Sequence, residues 1–229
     1  MLELGILADD LTGGMMAASL LEAEGVRCPL VSSVEALADI DTTAAEAVVV
    51  ARKIRLVDPE LAVAEAERVV AGMKQLGIQR FYYKYCATFD STNRGNIGPV
   101  SVAMLEATGG SQTLFCPAFP RHTVTVFQGR MFIGATPLGD SFKKHDPVTP
   151  MLNSNLVEVL KPQAQEKVGL IPHNIIVTGS SNVGELLAKE DAPRLFIVDS
   201  VDDEDLERCL LYTSPSPRDK RQSRMPACA

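Results

Sequence analysis

The sequence lacks most of the short patterns that mark catalytic and cofactor sites. It has no GxxxxGK[ST] phosphate loop, no GxGxxG, no HExxH and no GxSxG, which sets aside the simplest nucleotide, zinc-protease and serine-hydrolase readings. The nearest approach to a phosphate loop, Gly179 to Leu186, carries Glu185 where phosphate binding needs lysine, and reads as a helix start. Asp9-Asp10-Leu11-Thr12 fails the DxDxT spacing of a phosphatase, because Leu11 stands at the second Asp position. The five cysteines (Cys28, Cys86, Cys116, Cys209, Cys228) are odd in number and show no CxxC spacing. Neither a zinc site nor a disulfide framework follows, and reduced thiols are expected. Positive charge is also short: 22 Lys and Arg against 29 Asp and Glu give a net charge of −7. A nucleic-acid or anionic-membrane partner would want a basic face, so neither is expected. The amino terminus enters Leu2-Glu3-Leu4-Gly5-Ile6-Leu7 without a basic leader or a long apolar run. No signal peptide or membrane span is read there, and the expected compartment is the cytoplasm.

What remains is an ordinary globular composition, 46% hydrophobic and 22% charged over 229 residues, ample for a core. Short apolar runs alternate with helical segments, the pattern of a parallel sheet with crossover helices. Strands are expected at Leu2–Ala8, Val26–Val31, Ala47–Ala51, Ile78–Tyr85, Thr113–Ala118, Val168–Ile171, Ile175–Val177 and Leu195–Val198. Helices are expected at Gly14–Glu24, Glu60–Leu76, Ile97–Ala107, Leu152–Leu160 and Val183–Lys189, with another starting at Asp202–Cys209 and a hairpin around Gly129. The fold class is α/β: a doubly wound, mostly parallel sheet with helices on both faces, forming one substrate-binding domain over residues 1–209. From Leu210 the composition turns Pro/Ser-rich and basic, and residues 210–229 resemble a translated sequencing adapter, a non-native tail left out of the fold.

Three polar loops could carry chemistry. Ala8-Asp9-Asp10-Leu11-Thr12-Gly13-Gly14 sits where a first strand hands over to a helix, at the edge where open α/β sheets bind ligands. Either Asp10 or Thr12 can cap the helix, and two carboxylates are more than a cap needs. Lys84 to Gly98 likewise leaves a strand and enters a helix. There Lys84 and Arg94 could clamp a carboxylate, Asp90 could accept from hydroxyls, and Ser91 and Thr92 add hydroxyls of their own. In Asp140 to Met151, Pro147 and Pro150 stiffen a loop from which His145 could orient or protonate a substrate. His122 and His173 have no metal-like company and read as surface residues; no metal ligands are assigned.

These runs occur in a fixed order: ADDLTG at Ala8, KYCATFDSTNRGNIG at Lys84, CPAFP at Cys116, QGRMF at Gln128, HDPVTPM at His145, VGLI at Val168 and IVDSVDDEDL at Ile197. In that order the chain resembles the four-carbon acid sugar kinase family, and its KYC-TFDST and DPVTPM forms are closest to the 3-oxo-tetronate kinase branch. The resemblance implies the amino-terminal, acid-holding half of a two-domain enzyme that moves the ATP γ-phosphoryl to a terminal hydroxyl. ATP and Mg²⁺ would be held by a carboxyl-terminal domain outside this chain, whose absence would leave the chain inactive by itself. It further implies that Lys84 and Arg94 grip the acid's carboxylate, with Asp9, Thr12, Ser91, Thr92 and His145 also on the substrate. Asp10 and Asp90 become the candidates for aligning or deprotonating the attacking oxygen. The partner is a small-molecule sugar acid; a homo-oligomer is left open. The threonate and erythronate kinase branches, and a stand-alone sugar-acid-binding module, are the alternatives. One stretch departs from the family pattern: Thr123 and Val124 stand where Gly and Arg usually do, leaving Arg121 or Arg130 as substitutes.

Overall fold

Four strands, β1 (Leu4–Ala8), β2 (Leu30–Val31), β3 (Ala47–Ala51) and β4 (Arg80–Lys84), form a wholly parallel sheet in the order β2-β3-β1-β4 in the computed structural model, which describes residues 2–213. The chain builds to one side of β1 and then to the other, which places a topological switch point at the carboxyl end of β1. All five residues of β3, Ala-Val-Val-Val-Ala, are buried. That is why the strand reads as a continuous apolar run: a parallel strand covered on both faces has no solvent side to mark by alternation.

The covers come from both directions. Helix α1 (Leu11–Ala23) lies so close to the sheet that a Cβ on Gly14 would sit 2.8 Å from the Ala51 Cβ. On the opposite face, α2 (Pro59–Gln75) approaches so that a Cβ on Gly5 would meet the Met73 sulfur at 2.6 Å. Gly5 and Ala8 point to opposite sides of β1 by strand alternation, so the two glycines mark the two faces. Helix α3 (Ile97–Thr108) packs against α2 and ends at Gly109 in the left-handed conformation, φ 73°, which a Cβ-free residue adopts without cost. These elements belong to one compact unit, residues 2–86 together with 95–110; among the described residues, 87–94 and 111–213 form a second.

The second unit holds a three-stranded parallel sheet and a small antiparallel one. In chain order its elements are β5 (Thr113–Phe115), β6 (Val124–Phe127), β7 (Arg130–Ile133), β8 (Thr136–Pro137), α4 (Leu156–Ala164), β9 (Val168–Ile171), α5 (His173–Val177), α6 (Ser180–Leu187), β10 (Leu195–Val198) and α7 (Asp203–Thr213). The parallel order is β5-β10-β9 and the antiparallel one β6-β7-β8. Ile171, Ile176, Val183, Phe196, Val198 and Cys209 pack as one core cluster, each buried aliphatic or aromatic side chain contributing about 1.5–3 kcal/mol. The α/β class with helices over parallel strands holds, with the parallel strands shared between two sheets.

Several expectations are corrected. Ile175–Val177 is part of helix α5, not a strand. Three β-branched or apolar residues cannot distinguish the two by periodicity, and the Asp199 carboxylate accepts from His173 N at 2.9 Å where the helix begins. Helix α4 starts at Leu156 rather than Leu152, because the Asn155 side chain caps it by accepting from Val157 N and Glu158 N. His173 is no plain surface residue: its Nε2 lies 3.1 Å from Oδ2 of the buried Asp205. Thr123 has φ 59°, the left-handed conformation that suits the family's glycine and strains a β-branched residue, while Val124 is a buried β6 position paired with Ile133. Cys28, Cys86, Cys116 and Cys209 form no disulfide among the described residues. Helix α7 continues to Thr213, into the first four residues of the expected tail; residues 214–229 lie outside the described residues. No helix among the described residues is long and apolar enough to cross a membrane.

Candidate functional site

The carboxyl end of β1 delivers two adjacent carboxylates with different jobs. Asp10 adopts an extended backbone and its Oδ1 accepts from Gly13 N at 2.6 Å, so it caps α1. Thr12, the other capping candidate, is exposed within the first turn. Asp9 is only 1% exposed, and its backbone still pairs as a strand would: its N donates to Lys84 O (2.9 Å) and its O accepts from Ile54 N (3.0 Å). That second bond places Arg55, four residues beyond β3, beside the pair. The Arg55 guanidinium donates Nε to Asp9 Oδ2 at 2.8 Å and Nη2 to Asp9 Oδ1 at 2.7 Å, and Nη2 also reaches Asp10 Oδ2 at 2.8 Å. The planar fork matches a carboxylate in both spacing and plane.

Arg55 is itself held. The Asn96 side chain, at the start of α3, donates Nδ2 to Ile54 O (2.6 Å), Val57 O (2.8 Å) and Arg55 O (3.3 Å). The buried Asn96 Oδ1 and Tyr83 Oη have no hydrogen-bond partner among the described residues. Lys84 ends β4 with its ammonium buried, Nζ donating to Tyr85 O at 2.5 Å.

Burial dominates the electrostatics of this cluster. It raises the Asp9 carboxyl above its ordinary value even against the Arg55 bonds, and it lowers Lys84 despite the attraction of Asp9. Burial alone would lower Arg55, but the bonds from Asp9 outweigh it and push the guanidinium up. Tyr83 is driven well up by burial and the nearby Asp9 charge. Arg55 sets its positive charge against both carboxylates, and their remaining lone pairs can accept from hydroxyls.

The second unit contains the other candidates. Asp90 accepts from Thr88 Oγ1 (2.6 Å) and from Lys143 Nζ (2.7 Å), and the same Nζ lies 3.1 Å from Asp146 Oδ2. Asp146 Oδ1 in turn accepts from Val148 N (3.0 Å) and Thr149 N (2.9 Å). Those two backbone donors, Thr149 first, with Lys143 hold the Asp146 carboxyl far below the usual carboxylate range. Lys143 would be lowered by burial, yet its carboxylate partners raise it. Ser91, Thr92 and Arg94 line a cavity of ≈ 500 Å³ with Met151, Asn153 and Glu158. Ser91 is buried and its Oγ has no partner among the described residues. His145 is exposed at the end of a 3-10 turn, Phe142–His145. Among the described residues no three His, Cys, Asp or Glu side chains gather to hold a metal.

Arg55, Asn96 and Lys143 are the residues the sequence reading missed or left unassigned. Arg55 had a usable signal: a cation just past an all-apolar strand must lie at the ligand edge of a parallel sheet. The pairing of Lys143 with Asp90, 53 residues apart, left no local trace.

The model of the sugar-binding N-terminal domain family matches residues 4–223. A 3-oxo-tetronate kinase of Burkholderia multivorans is 40% identical over 205 residues, 89% of this chain and 47% of that protein; one of Pectobacterium atrosepticum is 40% identical over 209 residues, 90% of this chain and 49% of that protein. The chain therefore spans about half the length of the curated relatives it matches. A solved Salmonella typhimurium LT2 structure, described as a putative tRNA synthase, superposes with a TM-score of 0.88 at 32% identity, covering 95% of this chain and 53% of that one. A Bordetella bronchiseptica structure with bound citrate, a domain-swapped dimer, gives 0.74 at 27% identity over 90% of this chain and 50% of that one. With a family model spanning nearly its whole length and relatives named 3-oxo-tetronate kinase at this identity, the chain belongs to the family of sugar-binding N-terminal domains.

Proposed function

We propose that this chain binds a four-carbon sugar acid as the acid-holding half of an ATP-dependent kinase, with 3-oxo-tetronate the favoured acid. The observation that carries this reading is the aspartate pair at the switch point of the first sheet, backed by the Arg55 guanidinium. Two carboxylates whose charge is balanced from behind are acceptors for a polyol, and a sugar acid is rich in hydroxyl donors. In the second unit, the Ser91, Thr92 and Arg94 side chains around their cavity suit the same class of ligand, Arg94 through its fork and Ser91 through its unspent hydroxyl. Asp10 and Asp90 are the candidates for orienting the attacking oxygen, with Asp9, Thr12, Lys84 and His145 assigned to the substrate. Each Asp oxygen nearest a cation is already engaged, so the role we assign them is alignment through remaining lone pairs.

The residues described here do not fit ATP·Mg²⁺. Gly179 opens helix α6, which carries Glu185 and no lysine, and no metal-holding cluster occurs among the described residues. The nucleotide belongs in this reading to a further domain outside the chain. Phosphoryl transfer depends chiefly on positioning, and losing a donor held in line forfeits about 7–11 kcal/mol. The test is an ADP-release assay with 3-oxo-tetronate, threonate and erythronate, run on this chain and on one completed with a nucleotide-binding domain. The chain alone is expected to bind without turnover, and the completed chain to turn over one acid preferentially. Turnover by the chain alone would overturn the division of labour. Binding without turnover in the completed chain would favour a stand-alone binding module.

A further inference from the structure

Arg55 sits on a loop, not on a strand, yet it meets two carboxylates with three contacts between 2.7 and 2.8 Å. A long flexible side chain on an unsupported loop would lose too much freedom to hold that geometry. The support is visible in Asn96. Its one amide nitrogen spans the carbonyls of Ile54, Arg55 and Val57, so a single side chain fixes the backbone on both sides of Arg55. Asn96 is buried at 3% exposure and touches neither Asp9 nor Asp10 in any of these bonds. Its acceptor, Oδ1, is left unpartnered among the described residues. A buried amide oxygen without a partner is destabilising, while the donor side of the same amide is spent on the Arg55 loop.

We propose that Asn96 is a positioning residue that acts through Arg55, so that Asn96, Arg55 and the Asp9–Asp10 pair form a relay setting the hydroxyl acceptors. This rests on the sugar-acid reading of the same site. Its mechanical content is separate: remove the Asn96 amide, and Arg55 loses its fixed approach to the carboxylates while the sheet and helices around it stay in place. Asp10 would keep its cap on Gly13 N, so the aspartate backbone would not move; what would change is the direction and charge balance of the carboxylates.

The experiment is a double-mutant cycle on the 229-residue chain with Asn96→Ala, Arg55→Lys and the combined variant. Two readouts are taken: threonate, erythronate and 3-oxo-tetronate binding by calorimetry, and the Arg55 Nε–H resonance by NMR. In the unmodified chain that resonance is expected to be sharp and slowly exchanging. Asn96→Ala is expected to broaden or erase it, with dispersed backbone amides retained, and to weaken acid binding about tenfold. In the Arg55→Lys background, the same Asn96 change should weaken binding by less than about twofold, because the relay is already cut. A role that is merely structural would weaken binding equally in both backgrounds, and that result would overturn the proposal. So would an unchanged Arg55 resonance in Asn96→Ala. If Asn96→Ala fails to fold, Asn96→Ser, a smaller donor, takes its place in the same cycle with the same expectations. If the unmodified chain binds none of the three acids, the sugar-acid reading falls, and the relay is then decided by the Arg55 resonance.

Discussion

The two units each set one cation between two carboxylates, and they do it with opposite physics. In the first, Arg55 faces Asp9 and Asp10, two residues that follow a buried strand. In the second, Lys143 faces Asp90 and Asp146, both from loops. Asp9 is nearly sealed, its side chain 2% exposed, and burial pushes its carboxyl up. Asp146, 25% exposed, is pulled far down by backbone N–H donors. A planar, bidentate guanidinium suits the first arrangement, where two oxygens of one carboxylate must be met in a fixed plane. A point-charge ammonium suits the second, where two separate carboxylates converge from different directions. In one cluster the cation opposes the effect of burial on Asp9; in the other, backbone donors hold Asp146 and the cation links two loops.

The strongest way to break this comparison is to remove each cation in turn. Arg55→Met strands Asp9 as an uncompensated buried charge and is expected to cost about 3–5 kcal/mol. Lys143→Met removes charge-assisted bonds from carboxylates that keep other partners, and about 1.5–3 kcal/mol is expected. Urea unfolding of both variants gives the difference directly; equal losses would mean that the depth of burial is not what separates the clusters. A smaller effect sharpens the split roles of the aspartates. Asp10→Ala loses the α1 cap for about 1 kcal/mol, whereas Asp10→Asn keeps a capping oxygen and should cost a few tenths from the cap. A comparable loss in both would assign Asp10's contribution to its charge on Arg55 instead.

Much of the frame was legible because it obeys local rules. Ala47–Ala51, Val168–Ile171 and Leu195–Val198 are apolar runs that fall where strands were expected, since a buried parallel strand has nothing to be but continuous and apolar. The Asp10 cap and the hairpin at Gln128-Gly129, with φ 50° and 70°, follow from residue types as well. Illegible were the features made by distant residues. Asp199, fully buried, accepts from Gln128 N, Gly129 N and His173 N at 2.7–2.9 Å, so the QGR turn and the VDS strand end are one structural device. No spacing in the sequence announces a bond across 71 residues. The candidate site divides the same way: Asp9, Asp10, Lys84 and Asp90 stood out as polar residues at strand ends, while Arg55, Asn96 and Lys143 gain their meaning only from what they touch.

The finest test separates the two clusters by pH. For Asp146 the folded carboxyl titrates below the ordinary value of 3.8. Between those two values the unfolded chain binds more protons than the native one. Its contribution is therefore fully present above pH 3.8 and is lost as pH falls through the folded value. Asp9 runs the other way, because its folded carboxyl titrates above 3.8. Between 3.8 and that higher value the native chain holds the extra proton, so stability falls as pH climbs through this window. Unfolding free energy measured from pH 3 to pH 8 should then change slope on different sides of 3.8 in the two variants. Asp146→Asn should flatten the acid limb and leave the slope above 3.8 as it was. Asp9→Asn should remove the decline above 3.8 and spare the acid limb, whatever it does to the absolute stability by depriving Arg55 of one of its two carboxylate partners. If Asp9→Asn leaves the slope above 3.8 untouched, burial is not what governs the first cluster, and the two carboxylate-flanked cations are alike after all.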